Sequence, residues 1–284
     1  MADTLNTSQA AEGGLARTPR RHLNEYLPTL LIAVAVLTLW EIVVTVFDIR
    51  EFILPRPTAI LNEFLGEVQK VAGAGEQSIL FEAARATLWS AFGGLVIGCG
   101  AGILIALATA RWTIISEALM PFAIAANSVP IIAFAPIMNN WFGITNPASK
   151  MAIVAIIVFF PTMINTVRGL TLVDRQQLEL MQSYAAGEFK ILRALRIPNA
   201  LPFIFSALRV ASSLSVIGAV VSEFFGGPRA TLGVYITQEA SGFNFTRAWA
   251  AILLASIIGI GFYNVILLAE RRLMPWYSAQ RRAN

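Results

Sequence analysis

Five apolar stretches, residues 27–47, 88–110, 153–167, 201–221 and 249–268, approach or reach the roughly 20 residues that a helix needs to cross a bilayer. A sixth, 114–138, is interrupted by Pro121, Pro130 and Pro136. In hydrocarbon every backbone N–H and C=O must find its partner inside the protein, and a helix does this within one segment. Composition agrees: 56% of the 284 residues are hydrophobic, only 13% are charged, and the mean hydropathy is +0.66. The expectation is an all-α polytopic membrane protein with six transmembrane helices. The polar residues 1–26, with Gly-Gly and Pro, lack apolar periodicity and are expected to form a disordered tail. Residues 27–270 are expected to form the membrane domain, and 271–284 a second tail.

Lys and Arg are enriched in short loops on the cytoplasmic side of a membrane. With the N-terminus inside, thirteen of the 21 basic residues fall on that side and six on the other, Lys150 and Arg229 among the six. Arg85 and Arg209 lie in or at the ends of spans. Both termini are therefore expected in the cytoplasm, and the pI of about 9.6 is a topology signal. Nucleic-acid binding is not expected, because the charges form no basic face.

Catalytic chemistry is hard to assemble. The one histidine, His22, lies in the polar tail, and the one cysteine, Cys99, in an apolar span. Neither a nucleophile–base pair nor a cluster of metal ligands results, and no phosphate-cradling G-x-x-x-x-G-K-[ST] occurs. The chain is expected not to be an enzyme and to carry no cofactor or metal. ATP-driven work would require a partner that binds ATP and Mg. A subunit of a pump, a self-contained secondary transporter and a membrane scaffold are the broad possibilities.

One stretch between two spans stands apart: ELMQSYAAGEFKILRALRIPNALP, residues 179–202. Met181, Tyr184, Ala185, Phe189, Leu192 and Leu195 recur at helical spacing, with polar residues between them. Gly187 is expected to mark a turn between two short helices, since glycine costs roughly 1 kcal/mol in a helix interior, with Ala185 the other position that could make it. Pro198 is expected to close the amphipathic part, and Pro202 to sit in the first turn of the next span. A stiff joint to the membrane helix is one reading, and an interfacial helix resting on headgroups is the other.

Glu179-Leu180-Met181, three residues, Ala185, nine residues, then Leu195-Arg196-Ile197-Pro198 resembles the EAA loop of binding-protein-dependent ABC importer permeases. In that pattern Leu180 and Met181 replace two alanines and Ala185 replaces a glycine, with Gly187 the next glycine along. ILPRPTAILNEF, SVPIIAFAPIMNNWFGI and TLGVYI follow in the order seen in permeases of the nitrate, sulfonate and taurine group. The A-F-A-P-I-x-N-N-W-F-G wording is similar to the thiamine-precursor and riboflavin branch.

The resemblance implies a type I permease of six spans with a cytoplasmic coupling helix in the loop 172–198. It implies a homodimer joined to two ATPase subunits in the inner membrane and fed by an extracytoplasmic substrate-binding protein. Glu179, Tyr184, Ala185, Ala186, Gly187, Glu188, Phe189 and Pro198 would then form the ATPase-coupling surface, with Tyr184 and Phe189 as aromatic anchors. A secondary transporter is the alternative, although no internal repeat supports it.

Inside the membrane, Gly94, Gly98 and Gly102 form a tandem G-x-x-x-G suited to close helix packing. Ionisable groups at membrane depth are costly, so Glu41, Arg209 and Glu223 need an explanation. Solvation at the membrane boundary is the expectation for Arg209, which could snorkel to the cytoplasmic side, and for Glu223; Glu223 could instead help line the outer mouth of the pathway or brace the fifth span. Asn127, Ser128, Pro130, Asn139 and Asn140, with Ser212 and Glu223, are the candidates for the substrate pathway. The serines of the fifth span could instead return hydrogen bonds to their own helix.

Overall fold

A computed structural model describes residues 20–73, 78–110, 112–228 and 230–275. Among them every regular element is helical. The chain divides into two units, one through Thr58 and one from Ala59 onward.

The first unit is dominated by α1 (Arg20–Val46). Its helix begins inside the stretch 1–26 expected to be an unstructured tail, while residues 1–19 lie outside the described residues. Leu30, Leu31, Ile32, Val36 and Leu39 are exposed, an apolar surface suited to lipid or a further subunit. Glu41 explains itself here. Its carboxylate accepts from the Thr58 backbone N–H (3.2 Å) and hydroxyl (2.9 Å), in the first turn of α2 (Pro57–Gly73). The carboxylate thus satisfies an orphan donor at the positive end of a helix.

The second unit is built on three long helices, α3 (Ile79–Thr109), α6 (Pro147–Thr171) and α9 (Ile197–Glu223). Ser78 caps α3 through the Phe81 N–H and donates to Glu67. Burial raises the Glu67 pKa, but the hydrogen bonds from Lys70 and Ser78 outweigh it and hold the carboxyl below its ordinary value. Asn146 caps α6, and Pro147 follows at N1, where its missing N–H costs nothing.

Between α3 and α6 the chain forms α4 (Thr113–Asn127), a 3-10 turn (Ile131–Phe134) and α5 (Ala135–Phe142). The two arms meet at 74° around Ser128, Val129 and Pro130. Among the described residues, five helices are long and apolar enough to cross a membrane, or six if this bent pair is one span. After α6 come α7 (Arg175–Ser183), α8 (Glu188–Ile191), a π turn (Leu192–Arg196), α9, α10 (Leu232–Ser241) and α11 (Phe245–Leu273). The last helix runs into the expected tail 271–284, of which 276–284 lie outside the described residues.

Small residues set how closely these helices pack. A Cβ on Gly94 would lie 2.4 Å from Val154 Cβ, one on Gly98 2.3 Å from the Ala155 carbonyl oxygen, and one on Gly102 2.9 Å from that of Phe159. The α3 stripe therefore lies directly on the α6 backbone. Buried Ala91, Leu95, Cys99 and Val158 fill the seam toward Val216 and Ala211 of α9. Farther along, Ala106, Met163, Val167, Leu170 and Ala200 form a second apolar cluster. Cys99 is a buried packing residue whose thiol contacts the Thr162 hydroxyl.

Gly98→Val should destabilise the bundle by about 3 kcal/mol, the upper range of overpacking, because backbone rather than a flexible side chain stands in its way. Gly100→Ala, with nothing within 4 Å of the added carbon, should leave stability nearly unchanged. Thermal unfolding of the purified protein in detergent, followed by fluorescence, measures both.

Candidate functional site

The loop after α6 folds as a hairpin of two helices. Asp174 caps α7 by accepting from the Gln176 N–H, and the exposed Arg175–Glu179 pair adds only the few tenths of a kcal/mol usual for such pairs. α7 ends in a Schellman motif: the Ala185 N–H bonds to the Gln182 carbonyl (2.8 Å) and the Ala186 N–H to that of Met181 (3.0 Å).

The residue that turns the chain is Ala185, at φ +51°. Gly187, at φ −67° and ψ 157°, is the extended residue that precedes α8. Two glycine-favouring positions were plausible from sequence, and the backbone uses the one occupied by alanine. A left-handed L-residue costs roughly 1–2 kcal/mol, which two backbone hydrogen bonds offset. Tyr184 and Phe189, on either side of the turn, are 77% and 75% exposed. Glu188 is likewise exposed, whereas Ile191 is buried.

Pro198 does not close the amphipathic element. Residues Glu188–Glu223 form one span-length helix. The Ile197 N–H reaches back five residues to the Leu192 carbonyl, which widens the turn just where the proline ring would otherwise crowd the preceding carbonyls. The expected joint is thus an unbroken rod with a π turn.

The candidate pathway residues divide. Asn127, Ser128 and Pro130 are exposed at the 74° bend, the Ser128 hydroxyl bonding back to the Ile124 carbonyl. Asn140 is exposed on α5. Ser212 is fully buried and donates to the Arg209 carbonyl, so its hydroxyl serves its own helix.

Asn139 is also buried. Its amide donates to the Phe225 carbonyl (3.2 Å), and its oxygen accepts from Lys150 Nζ (2.5 Å). Lys150, counted from sequence among the outer loop charges, is 1% exposed in the first turn of α6 and also donates to the Ile144 carbonyl (3.2 Å).

Glu223 is 0% exposed, which overturns both solvation at the boundary and a place on an open mouth. Its Oε2 accepts from Thr87 of α3 (3.0 Å) and from the Gly233 N–H of α10 (2.8 Å). Thr87 in turn accepts from the Leu232 N–H (2.9 Å). Gly233 is required here, since a Cβ would lie 2.3 Å from the Val220 carbonyl oxygen and 2.5 Å from Glu223 Cβ. Two buried polar groupings therefore form here: Glu223 with Thr87 and Gly233 joins α9, α3 and α10, and Lys150 with Asn139 joins α6 to α5 and to Phe225, just after α9. Arg209 does not snorkel but forms an ion pair with Glu270 of α11 (2.8 Å).

Thr87 and Glu270 escaped the sequence reading because their partners lie far along the chain, up to 145 residues for the Thr87–Leu232 contact, whereas Lys150 reads as a loop charge although its partners Asn139 and Ile144 are only 11 and 6 residues away. Threonine inside an apolar run was the only local sign.

The described residues thus form a bundle of apolar helices long enough to span a bilayer, with one bent pair and one helix that continues into an exposed hairpin, the architecture of a polytopic membrane protein. The chain belongs to the family of binding-protein-dependent transport system inner membrane components, whose pattern matches residues 98–275. It is thus a multi-pass inner membrane protein of the ABC permease class.

Among its relatives, the formylaminopyrimidine transport permease protein of Halalkalibacterium halodurans is 31% identical over 253 residues, covering 89% of this chain and 96% of that one. The riboflavin transport system permease protein of Chloroflexus aurantiacus is 31% identical over 240 residues, 84% of this chain and 86% of the relative. The taurine transport system permease protein of Escherichia coli K12 is 27% identical over 254 residues, 85% and 86% of the two chains. These relatives match the nitrate, sulfonate and taurine group and its thiamine and riboflavin branch.

Two predictions follow from the geometry. Ala185→Val, β-branched at positive φ, should disrupt the hairpin turn, while Ala185→Gly should stabilise it by about 1 kcal/mol and Gly187→Ala should be tolerated. Hydrogen exchange of the 175–191 segment reads all three. Glu223→Ala leaves the Gly233 N–H and the Thr87 hydroxyl without their acceptor and should cost about 2 kcal/mol, more than Glu223→Gln, in thermal unfolding.

Proposed function

We propose that this chain is the permease subunit of an ATP-driven importer, and that the hairpin within 172–198 is the surface on which a separate ATPase subunit docks. The observation that carries this reading is the pair of exposed aromatics, Tyr184 and Phe189, at the end of a helix that runs without interruption through Glu188–Glu223. Aromatics dominate interface energetics when a partner buries them, and a continuous helix transmits displacement along its axis. Glu179, Ala185, Ala186, Gly187 and Glu188 complete the docking surface. Pro198 belongs to the rod behind it.

In this reading the hairpin and both termini face the cytoplasm, two copies of the chain form the pathway, and an extracytoplasmic binding protein delivers the solute. ATP and Mg are bound by the ATPase. Residues 27–270 form the permease domain. Asn127, Ser128, Pro130 and Asn140, at or near the break in the third span, line the pathway, and Asn139 positions the arm that carries Asn140.

The solute is a small heteroaromatic vitamin or precursor, supported by the names of the two relatives at 31% identity, a formylaminopyrimidine and a riboflavin permease. A sulfonate-like anion is the other chemistry represented among the relatives.

Phe189→Ala and Gly187→Glu should each abolish co-purification of the ATPase and reduce solute uptake to background, with the protein still in the membrane. Uptake is measured with radiolabelled riboflavin, formylaminopyrimidine and taurine in cells expressing the whole transporter. Retention of both ATPase binding and uptake in the two variants would remove the hairpin from the coupling role.

A further inference from the structure

The neck of the hairpin is fastened by two side chains on one face of the rod, Arg196 and Asn199. Asn199 Nδ2 donates to the Gly169 carbonyl (2.9 Å) and to the Leu172 carbonyl (2.8 Å), at the C-terminal end of α6. Arg196 Nη1 donates to the Ala110 carbonyl at the C-terminal end of α3. The last carbonyls of a helix have no partner within it and carry the negative end of its dipole. A guanidinium and an amide donor from a third helix meet that need.

The surroundings differ on the two sides. At Gly169 the backbones of α6 and α9 touch, since an added Cβ would lie 2.8 Å from Ala200 Cα. Toward α3, Arg196 and Ala110 border a cavity of about 360 Å³ shared with Gly187, Glu188, Phe189 and Leu192. The guanidinium is therefore a tie across open space, between the end of α3 and the segment that leads to the hairpin.

We propose that Arg196 and Asn199 are positioning residues for coupling: they clamp the rod to the ends of α3 and α6, so that a displacement of the hairpin moves three helices together. This rests on the coupling role proposed for the hairpin. The chemistry is specific to donors. Arg196→Lys keeps a cation in reach of the Ala110 carbonyl, whereas Arg196→Ala removes it. Asn199→Asp keeps the shape and replaces the donor with an acceptor that faces two carbonyl oxygens.

The test needs no solute. In a Cys99→Ser background, Val129→Cys places one thiol at the exposed bend of the third span, and its reaction with a membrane-impermeant maleimide is followed in the full complex with the ATPase subunits. Trapping the ATPase with ATP and vanadate should change the labelling rate by about fivefold or more in the parent, the lower range of typical coupling between sites.

Arg196→Ala and Asn199→Asp should abolish that change while the ATPase still co-purifies and traps nucleotide, and Arg196→Lys should retain it. If both variants respond as the parent does, the clamp is refuted and the coupling role stands. If they lose ATPase binding together with the response, the two residues act in folding or docking and the clamp is also overturned. If the parent itself neither retains the ATPase nor responds, the coupling role fails and the clamp falls with it.

Discussion

Everything in the second unit hangs on the contact between the backbones of α3 and α6. Three glycines at four-residue spacing bring α3 so close to α6 that any side chain at Gly94 or Gly98 would meet Val154 or the Ala155 carbonyl. In a bilayer there is no hydrophobic gain in bringing two apolar helices together, because lipid tails are as apolar as leucine. Close packing must supply the attraction, and small residues let many atoms approach at once. The flat seam this creates fixes the relative height of the two helices. That in turn sets where α9 lies, since Val158, Leu95 and Ala211 share one apolar cluster.

Packing fixes the bundle laterally, and buried polar contacts fix its ends. At one end, Glu223 and Thr87 fasten α9, α3 and α10 to one another, and Lys150 and Asn139 fasten α6 to α5 and to the segment just after α9. At the other, Arg196 and Asn199 reach the terminal carbonyls of α3 and α6. Between them Arg209 and Glu270 join α9 to α11. Such groups are expensive at membrane depth, and breaking one partner of a buried pair costs more than the pair ever contributes. They therefore act less as sources of stability than as pins that exclude other registers of the same apolar helices.

How far the sequence revealed this follows from the range of each interaction. The spans were legible because apolar length is a local property, and prolines marked the third span as interrupted, but not where: Pro121 lies inside α4, and the break falls at Ser128 to Pro130. The stripe Gly94, Gly98, Gly102 was legible as a packing face from its spacing. The buried polar contacts were not: Glu223 looks like a charge near a span end until Thr87, 136 residues away, supplies a donor, and Lys150 looks like one until the fold buries it against Asn139. Pro198 misled for a different reason. The rule that proline ends a helix assumes an α register, and one hydrogen bond of longer reach, Ile197 to Leu192, removes the clash that the rule describes. Ala185 sits where glycine would be expected, and a two-bond Schellman motif carries the cost of its positive φ.

The unbroken rod and the broken span suit opposite tasks. One helix runs from Glu188 to Glu223, its ladder lacking donors at Pro198 and Pro202, and under the proposed coupling role a push at Phe189 is carried along it to Glu223 and, through Gly233, to α10. The third span has lost that continuity at Val129 and Pro130, where two short arms meet at 74° and the freed backbone groups have little helix to restrain them. One of those arms, α5, is nevertheless pinned through Asn139 to Phe225, just beyond the far end of the rod, and to Lys150 of α6. The stiff element is thereby connected to the compliant one at the end farthest from the hairpin. Under the proposed roles, a residue at the bend needs no direct contact with the hairpin to respond to it.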